Sequence, residues 1–258
     1  MRSNDVAEIL FYERPVPLNR VQHKDLRIKG LLDFRFASKV HSVPLTGVEF
    51  AAAARQLPIV FAGPNPAEAG PIALLGLRQD ENLFVDAEGR WEANVYVPAF
   101  VRRYPFVLAE KPPGQPGDDF TVFLDEGYAG FGAEGERLFG EDGSDTETLT
   151  NAVKFLGEFQ QHVARTRWFM EQINKHDLLE SRSIRLEKNG NALNLTGLYT
   201  VSEEKLRNLD QATAHEFLKE GVTGWIYAHL LSLPNIDRLT QQLDLREQGE
   251  SAQPSTIN

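Results

Sequence analysis

The strongest periodic pattern in the chain lies between residues 147 and 175. Apolar residues recur there at steps of three and four from Leu149 to Ile173, the spacing that lines one face of an α-helix. Ser144 and Glu147 stand three residues apart just before this run, as in a capping box. We therefore expect one long helix near 147–175.

Short apolar runs bounded by proline and glycine predict strands on the N-terminal side of this helix. On its C-terminal side, two runs joined by an Asn-Gly pair predict a β-hairpin near 183–201. Apolar and capped segments then predict a C-terminal helical region. This order gives an α+β fold with a mixed or antiparallel sheet. The predicted strands span 58–62, 71–77, 106–108, 120–124, 183–187 and 192–201, and the predicted C-terminal helices begin at 203 and cover 212–220, 225–233 and 235–245.

The domain organisation predicted from these elements is one domain over residues 1–245. Its first part, residues 1–45, contains Pro15, Pro17 and Pro44, which block helix continuation, so we expect an extended arm packed on the body. Whether the arm packs on its own chain or on a neighbour is left open. The polar residues 246–258 predict a flexible tail.

Composition narrows the classes of function. The 258 residues include no cysteine, which excludes disulfides, thiolate metal sites and cysteine nucleophiles. The net charge is −10, and eleven acidic against two basic residues place −9 of it within 110–148. Because the chain is acidic and has no basic stripe, we expect no nucleic-acid partner. Because no apolar run is long enough to span a bilayer, we expect no membrane insertion. The N-terminal residues lack the apolar core of a signal peptide, so we expect a cytoplasmic protein.

The most distinctive local sequence is Arg102-Arg103-Tyr104, which stands between apolar and aromatic residues. Two guanidinium groups in such a setting can clamp a carboxylate or phosphate, so these three residues are the candidate site for a partner or ligand. The alternative interpretation is a short helix whose arginines face solvent or pair with nearby acids.

A metal site is a second candidate. His23 and Asp25 form an H-x-D pair that, with a distant histidine, could supply the two-histidine, one-carboxylate site of a non-haem Fe(II) oxygenase. His229 is the preferred third ligand, with His162 and His215 as alternatives. The competing interpretation is a surface turn at 23–25 and a hydrogen-bonded core histidine at 229. The sequence identifies no cofactor, and no P-loop, dinucleotide-binding or nucleophile-elbow motif is present.

Several blocks of sequence together resemble the SapC family of bacterial proteins, over about residues 10–243. The resemblance implies a link to surface-layer loci, and to halogenase-like proteins and TonB-dependent receptor systems as possible protein partners. It implies no catalytic residues. We therefore expect an accessory or binding protein, with an iron-dependent enzyme and a structural surface-layer component as the alternatives. The blocks include 11–20, 23–26, 42–45, 48–50, 58–61, 73–77, 81–86, 96–106 and 226–233.

Overall fold

The computed structural model describes residues 10–31, 33–110, 120–188 and 191–252. The chain has an α+β fold, as predicted, and all the strand pairs in the described ranges are antiparallel. The strands are β1 (Pro15–Pro17), β2 (Arg27–Ile28), β3 (Ser42–Pro44), β4 (Ile59–Ala62), β5 (Gly70–Leu74), β6 (Phe106–Glu110), β7 (Phe120–Asp125), β8 (Phe131–Gly132), β9 (Glu136–Arg137), β10 (Leu179–Lys188) and β11 (Asn191–Val201).

The helices are concentrated in the C-terminal half of the chain. Short 3₁₀ turns at Arg35–Ala37, Gly47–Glu49 and Pro66–Glu68 supplement them. The α-helices are α1 (Phe50–Ala53), α2 (Ala99–Arg102), α3 (Glu147–Lys175), α4 (Glu203–Arg207), α5 (Gln211–Lys219), α6 (Val222–Ser232) and α7 (Asn235–Ala252). Within the described ranges, no helix combines the length and the apolar composition that a membrane span needs.

The strands form three sheets. The largest has the order β10-β11-β4-β5-β3, a second has the order β1-β7-β6, and a small one has β2 between β8 and β9. The strands of the N-terminal segment thus pair within the chain: β1 with β7, β2 with β8 and β9, and β3 with β5. Residues 1–9 of the predicted arm lie outside the described residues.

The long helix α3 has the bounds that its periodicity predicts, Glu147 to Lys175. Its cap differs from the prediction, because the side chain of Thr146, not Ser144, accepts the hydrogen bond from the Leu149 amide. Ser144 instead donates its hydroxyl to Asp142 in the preceding turn. Ser144 is therefore part of the preceding turn, and Thr146 caps the helix.

The predicted hairpin is present and is longer than its pattern indicates. It begins at Leu179 and its two strands pair as far as Val201, with a shift in register between Arg182 and Ile184. Only Leu198 and Tyr199 of β11 pair with β4. The predicted Asn-Gly turn at 189–190 lies outside the described residues, as does the proline-rich loop at 111–119.

The C-terminal helices cover the large sheet and continue past the predicted end at residue 245. Helix α7 runs to Ala252, and Arg246 donates hydrogen bonds to the carbonyls of Asn82 (3.0 Å) and Val85 (2.9 Å). These bonds tie residue 246 to the body, where the composition predicted the start of a flexible tail. Residues 253–258 lie outside the described residues.

Two apolar clusters hold these layers together. The larger one joins the five-stranded sheet to the C-terminal half of α3 and to α6. The smaller one joins β6 and β7 to the first turns of α3 and includes Phe106, Leu124, Leu149 and Leu156. The first half of α3 is thus packed against the smaller sheets, beside the segment that carries Arg102.

Candidate functional site

A cleft of about 350 Å³ lies between the small sheet, the segment after α2 and the first turns of α3. Its lining is mainly apolar and aromatic, and it includes all three residues of the predicted site. The lining residues come from four parts of the chain, which are 28–31, Arg102–Phe106, Tyr128 with Glu136, and Thr148, Ala152 and Phe155 of α3. The cleft is therefore the candidate functional site.

The backbone of α2 sets the direction of each side chain in the predicted trio. This single helical turn begins after Pro98, and Arg102 is exposed whereas Arg103 and Tyr104 are only 4% and 6% exposed. Successive residues in a helical turn point about 100° apart, so adjacent arginines cannot face the same way. The structure thus divides the trio into one exposed cation and two buried side chains.

The guanidinium of Arg102 is fixed by neighbours on the same chain. Its Nε donates to the carbonyl of Val97 at 3.0 Å and Nη2 donates to the hydroxyl of Tyr96 at 3.2 Å. It also lies 5.2 Å from the centre of the Phe155 ring and 5.8 Å from that of Tyr96. An arginine has five N–H donors, so most of them remain available. No carboxylate of the described residues forms an ion pair with Arg102.

Tyr96 connects Arg102 to a buried carboxylate. Its hydroxyl donates to Glu49 Oε1 at 2.9 Å, and Glu49 also accepts hydrogen bonds from the backbone amide of Ala99 (2.6 Å) and from Thr46. Burial, followed by the negative charge of Glu49, raises the pKa of Tyr96 to about 12. Tyr96 therefore keeps its proton at neutral pH, donates it to Glu49 and offers an oxygen lone pair to Arg102.

The buried pair, Arg103 and Tyr104, packs among aromatic rings. The Arg103 guanidinium lies 4.0 Å from the centre of the Phe100 ring and 5.3 Å from that of Phe159. The Tyr104 ring stacks on Phe36 with centroids 4.0 Å apart. Such contacts contribute to stability through packing and cation–π attraction. Both residues also line the cleft, where they form part of its buried wall.

Asp125 accepts a hydrogen bond from the hydroxyl of Tyr104. This fully buried carboxylate accepts hydrogen bonds from the amides of Glu13, Arg14 and Gly127, each at 2.9 Å, and from the Tyr104 hydroxyl at 3.2 Å. Burial, together with the charge of Asp125, raises the pKa of Tyr104. Tyr104 is thus a neutral hydrogen-bond donor that ties the cleft wall to β7.

Two further basic residues, one in the cleft and one in the cavity beside it, are engaged by neighbours. Lys29 forms an ion pair with Glu134 at 2.7 Å, and Arg27 donates to the carbonyl of Gly135 at 2.9 Å. Glu136 is exposed and lines both the cleft and an adjoining polar cavity of about 460 Å³. The lining therefore carries exposed charges of opposite sign at Arg102 and Glu136, a second positive charge at the buried Arg103, and Lys29, which is paired with Glu134.

The residues of the candidate iron site are not brought together. His23 is buried in the N-terminal segment, where Nδ1 accepts from the Asn19 amide at 3.0 Å and Nε2 lies 3.6 Å from Glu126. The Asp25 side chain is 85% exposed and lies 3.8 Å from Arg137. Among the residues that the structure describes, no group of three or more histidine, aspartate or glutamate side chains is arranged to hold a metal ion.

His229, the proposed third ligand, lies in the core between β4 and β11. Its Nδ1 is 2.8 Å from the carbonyl of Ile59, and its Nε2 accepts from the amide of Val201 at 3.1 Å. Both ring nitrogens are therefore engaged by backbone, which fixes the tautomer with the proton on Nδ1. Burial lowers the pKa of His229 to about 4. Of the alternative ligands, His162 is half-buried on α3 and His215 is exposed on α5.

Four residues that shape the cleft were not singled out by the sequence: Glu49, Tyr96, Glu136 and Phe155. One signal was available, because Glu49 stands between Val48 and Phe50 in an apolar run, where a charge needs buried partners. The other three carry no local mark. Their role depends on contacts across long stretches of chain, such as the approach of Phe155 to Arg102.

Comparison with known proteins gives a family for the chain. The SapC family model matches residues 18–239, a span that contains the whole lining of the cleft. No curated protein and no solved structure matches the chain. Since the matched region covers most of the 258 residues, the chain belongs to the SapC family.

Proposed function

We propose that this chain is a cytoplasmic accessory protein that binds a protein partner through the rim of the cleft at Arg102. The partner comes from a surface-layer, halogenase-like or TonB-dependent receptor system, the associations that the family resemblance implies. The observation that carries the proposal is the state of Arg102, which is exposed, held in place, and without a carboxylate partner among the described residues.

The held guanidinium favours binding over catalysis. An arginine stays protonated at all physiological pH values, so it acts as a fixed charge and a donor, not as a general base. The two tyrosines near it, Tyr96 and Tyr104, have raised pKa values and keep their protons. The described residues that line the cleft include no histidine, serine or cysteine. These features support recognition of an anionic group.

The partner is expected to present a carboxylate to Arg102. A guanidinium held by a carbonyl and a phenol loses little conformational entropy when it forms a further charge-assisted hydrogen bond. The rings of Tyr96 and Phe155 lie beside the guanidinium and help to hold it in place through cation–π attraction. Arginines in such settings are common anchors of protein interfaces.

A tagged pull-down from native lysate, quantified by mass spectrometry, tests the proposal. The wild-type protein should recover a stoichiometric partner, and Arg102→Ala should recover much less of it. Arg167→Ala is the matched control, because Arg167 is exposed on α3 and about 18 Å along the helix from Phe155. Arg102→Lys keeps the charge but not the two-pronged geometry, so it should give an intermediate recovery.

The result that would contradict the proposal is equal recovery by the wild type and by Arg102→Ala, provided that both give the same circular dichroism spectrum and melting temperature. Recovery of the protein alone would have the same consequence. The proposed location is tested separately by cell fractionation, in which the protein should follow a cytoplasmic marker. Recovery with the envelope fraction would instead support a structural surface-layer role.

A further inference from the structure

We infer that the cleft below Arg102 binds a small monocarboxylate with an apolar body, whose carboxylate pairs with Arg102. This inference rests on the same arginine as the proposed function but adds a ligand of a different class, a free organic acid. It comes from three properties of the described cleft, which are its lining, the exposed guanidinium of Arg102 held by two hydrogen bonds, and the position of Glu136.

The lining suits the apolar part of such a ligand. Ile28, Leu31, Phe106, Ala152 and Phe155 present aliphatic and aromatic surface to the cleft. Its volume of about 350 Å³ is near the lower end of the range of roughly 300–1,000 Å³ found for small-molecule sites. Transfer of a hydrocarbon chain from water into this space is favourable in proportion to the apolar area buried.

The head group is defined by Arg102. Two of its N–H groups are used by Val97 and Tyr96, and those bonds fix the plane of the guanidinium. The remaining N–H groups are free to donate in parallel to two oxygens of one carboxylate. Tyr96 cannot rotate away from this arrangement without losing its hydrogen bond to Glu49. The cation is therefore positioned before the ligand arrives.

A single negative charge fits the surroundings better than two. Glu136 also lines the cleft, and a like charge nearby disfavours a second anionic group on the ligand. Lys29 is already paired with Glu134 at 2.7 Å, so its charge is largely compensated. A monocarboxylate brings one negative charge into the cleft that Glu136 also lines, whereas a phosphate monoester or dicarboxylate would bring two and meet more repulsion.

Decanoate is a suitable probe, because it combines one carboxylate with an unbranched apolar chain. Decanol and decylamine have the same chain with no charge and with a positive charge, respectively. Binding is measured by isothermal titration calorimetry with the full chain, below the concentration at which each probe forms micelles. NMR follows the ring signals of Phe155 as decanoate is added. These signals are identified by their absence from the spectrum of Phe155→Leu.

The inference predicts that decanoate binds with one site per chain, and that decanol and decylamine bind at least about tenfold more weakly, since a charge-assisted hydrogen bond is lost. Arg102→Ala should weaken decanoate binding about 10- to 100-fold and leave decanol unchanged. Glu136→Gln should strengthen decanoate binding by removing repulsion, and Arg167→Ala should change nothing.

Equal binding of decanoate and decanol, or decanoate binding that is insensitive to Arg102→Ala, would overturn the inference. Glu136→Gln that weakens decanoate binding would do the same, because it would assign Glu136 an attractive role. The proposed function can fail independently. A partner captured through Arg102 while decanoate does not bind leaves the accessory role intact and removes the ligand. If decanoate binds through Arg102 but no partner is captured, the ligand site stands and the accessory role is removed.

Discussion

Acid should destabilise this protein through one buried histidine, His229. In the folded state Nε2 accepts a hydrogen bond from the Val201 amide at 3.1 Å, and Nδ1 faces the Ile59 carbonyl at 2.8 Å. A second proton on the ring would be carried by Nε2. It would then point at the N–H of Val201, so that two donors would face each other and the hydrogen bond would be lost. Protonation of His229 must therefore break the contact between α6 and β11 or unfold the chain.

The magnitude follows from the pKa of the group in the two states. Burial lowers the pKa of His229 from 6.5 to about 4, so the unfolded chain takes up the proton first as the pH falls. The stabilisation that neutral His229 contributes is fully present above pH 6.5, and it is lost progressively as the pH falls to about 4. At 1.36 kcal/mol per pKa unit, the full loss is about 3 kcal/mol, of which about 2 kcal/mol is lost between pH 7 and pH 5.

Urea unfolding at several pH values between 7 and 5 measures this loss. His229→Gln removes the titration, so the difference in unfolding free energy between wild type and variant should shrink by about 2 kcal/mol across that range. Two-dimensional NMR of the His229 ring provides a second check, because this ring should stay neutral at pH 5. If the His229 ring titrates near pH 6.5, or the free-energy difference between wild type and variant does not change with pH, the reasoning is refuted.

Substitutions at three further buried positions, one of them with a matched control, are tested by thermal and urea unfolding. Asp125→Ala leaves three backbone amides and a hydroxyl without their acceptor, and it should cost about 3–5 kcal/mol; a cost below about 1 kcal/mol would contradict its role. Gly47→Ala places a methyl group against the indole of Trp225 and should cost about 1–3 kcal/mol, whereas the matched Gly224→Ala, which meets open space on a helix, should be neutral or stabilising. Arg103→Ala removes a guanidinium packed on two rings and should cost about 2 kcal/mol; an unchanged melting temperature would show that the packing carries little stability.

The elements that were predicted well are those with a strong local pattern. Helix α3 repeats its apolar positions along its 29 residues, so its extent can be predicted from local periodicity. The turn after α5 is similar, since Gly221 adopts a left-handed conformation with φ of 79°, which favours glycine at the end of a helix. In both places the physical cause lies within a few residues along the chain.

Elements that depend on distant partners were missed or misplaced. Strands β8 and β9 have two residues each, too few for an alternating pattern, and they exist because β2 pairs with both of them. The sequence pattern therefore predicted no strand between residue 124 and the long helix. The end of α7 was placed too early for a similar reason, because the bonds from Arg246 reach back more than 160 residues.

The same distinction explains what the sequence could say about the site. Aromatic residues around Arg102 and Arg103 marked the segment, but composition treats the two arginines alike. Their different roles come from the one-turn helix α2, whose first amide is bonded to Glu49 fifty residues earlier. That bond fixes the rotation of the turn, and the rotation places Arg103 between Phe100 and Phe159 and Arg102 at the cleft. If Glu49→Gln loosens the turn, Arg102 should lose its fixed position and bind anions more weakly even though its own side chain is intact.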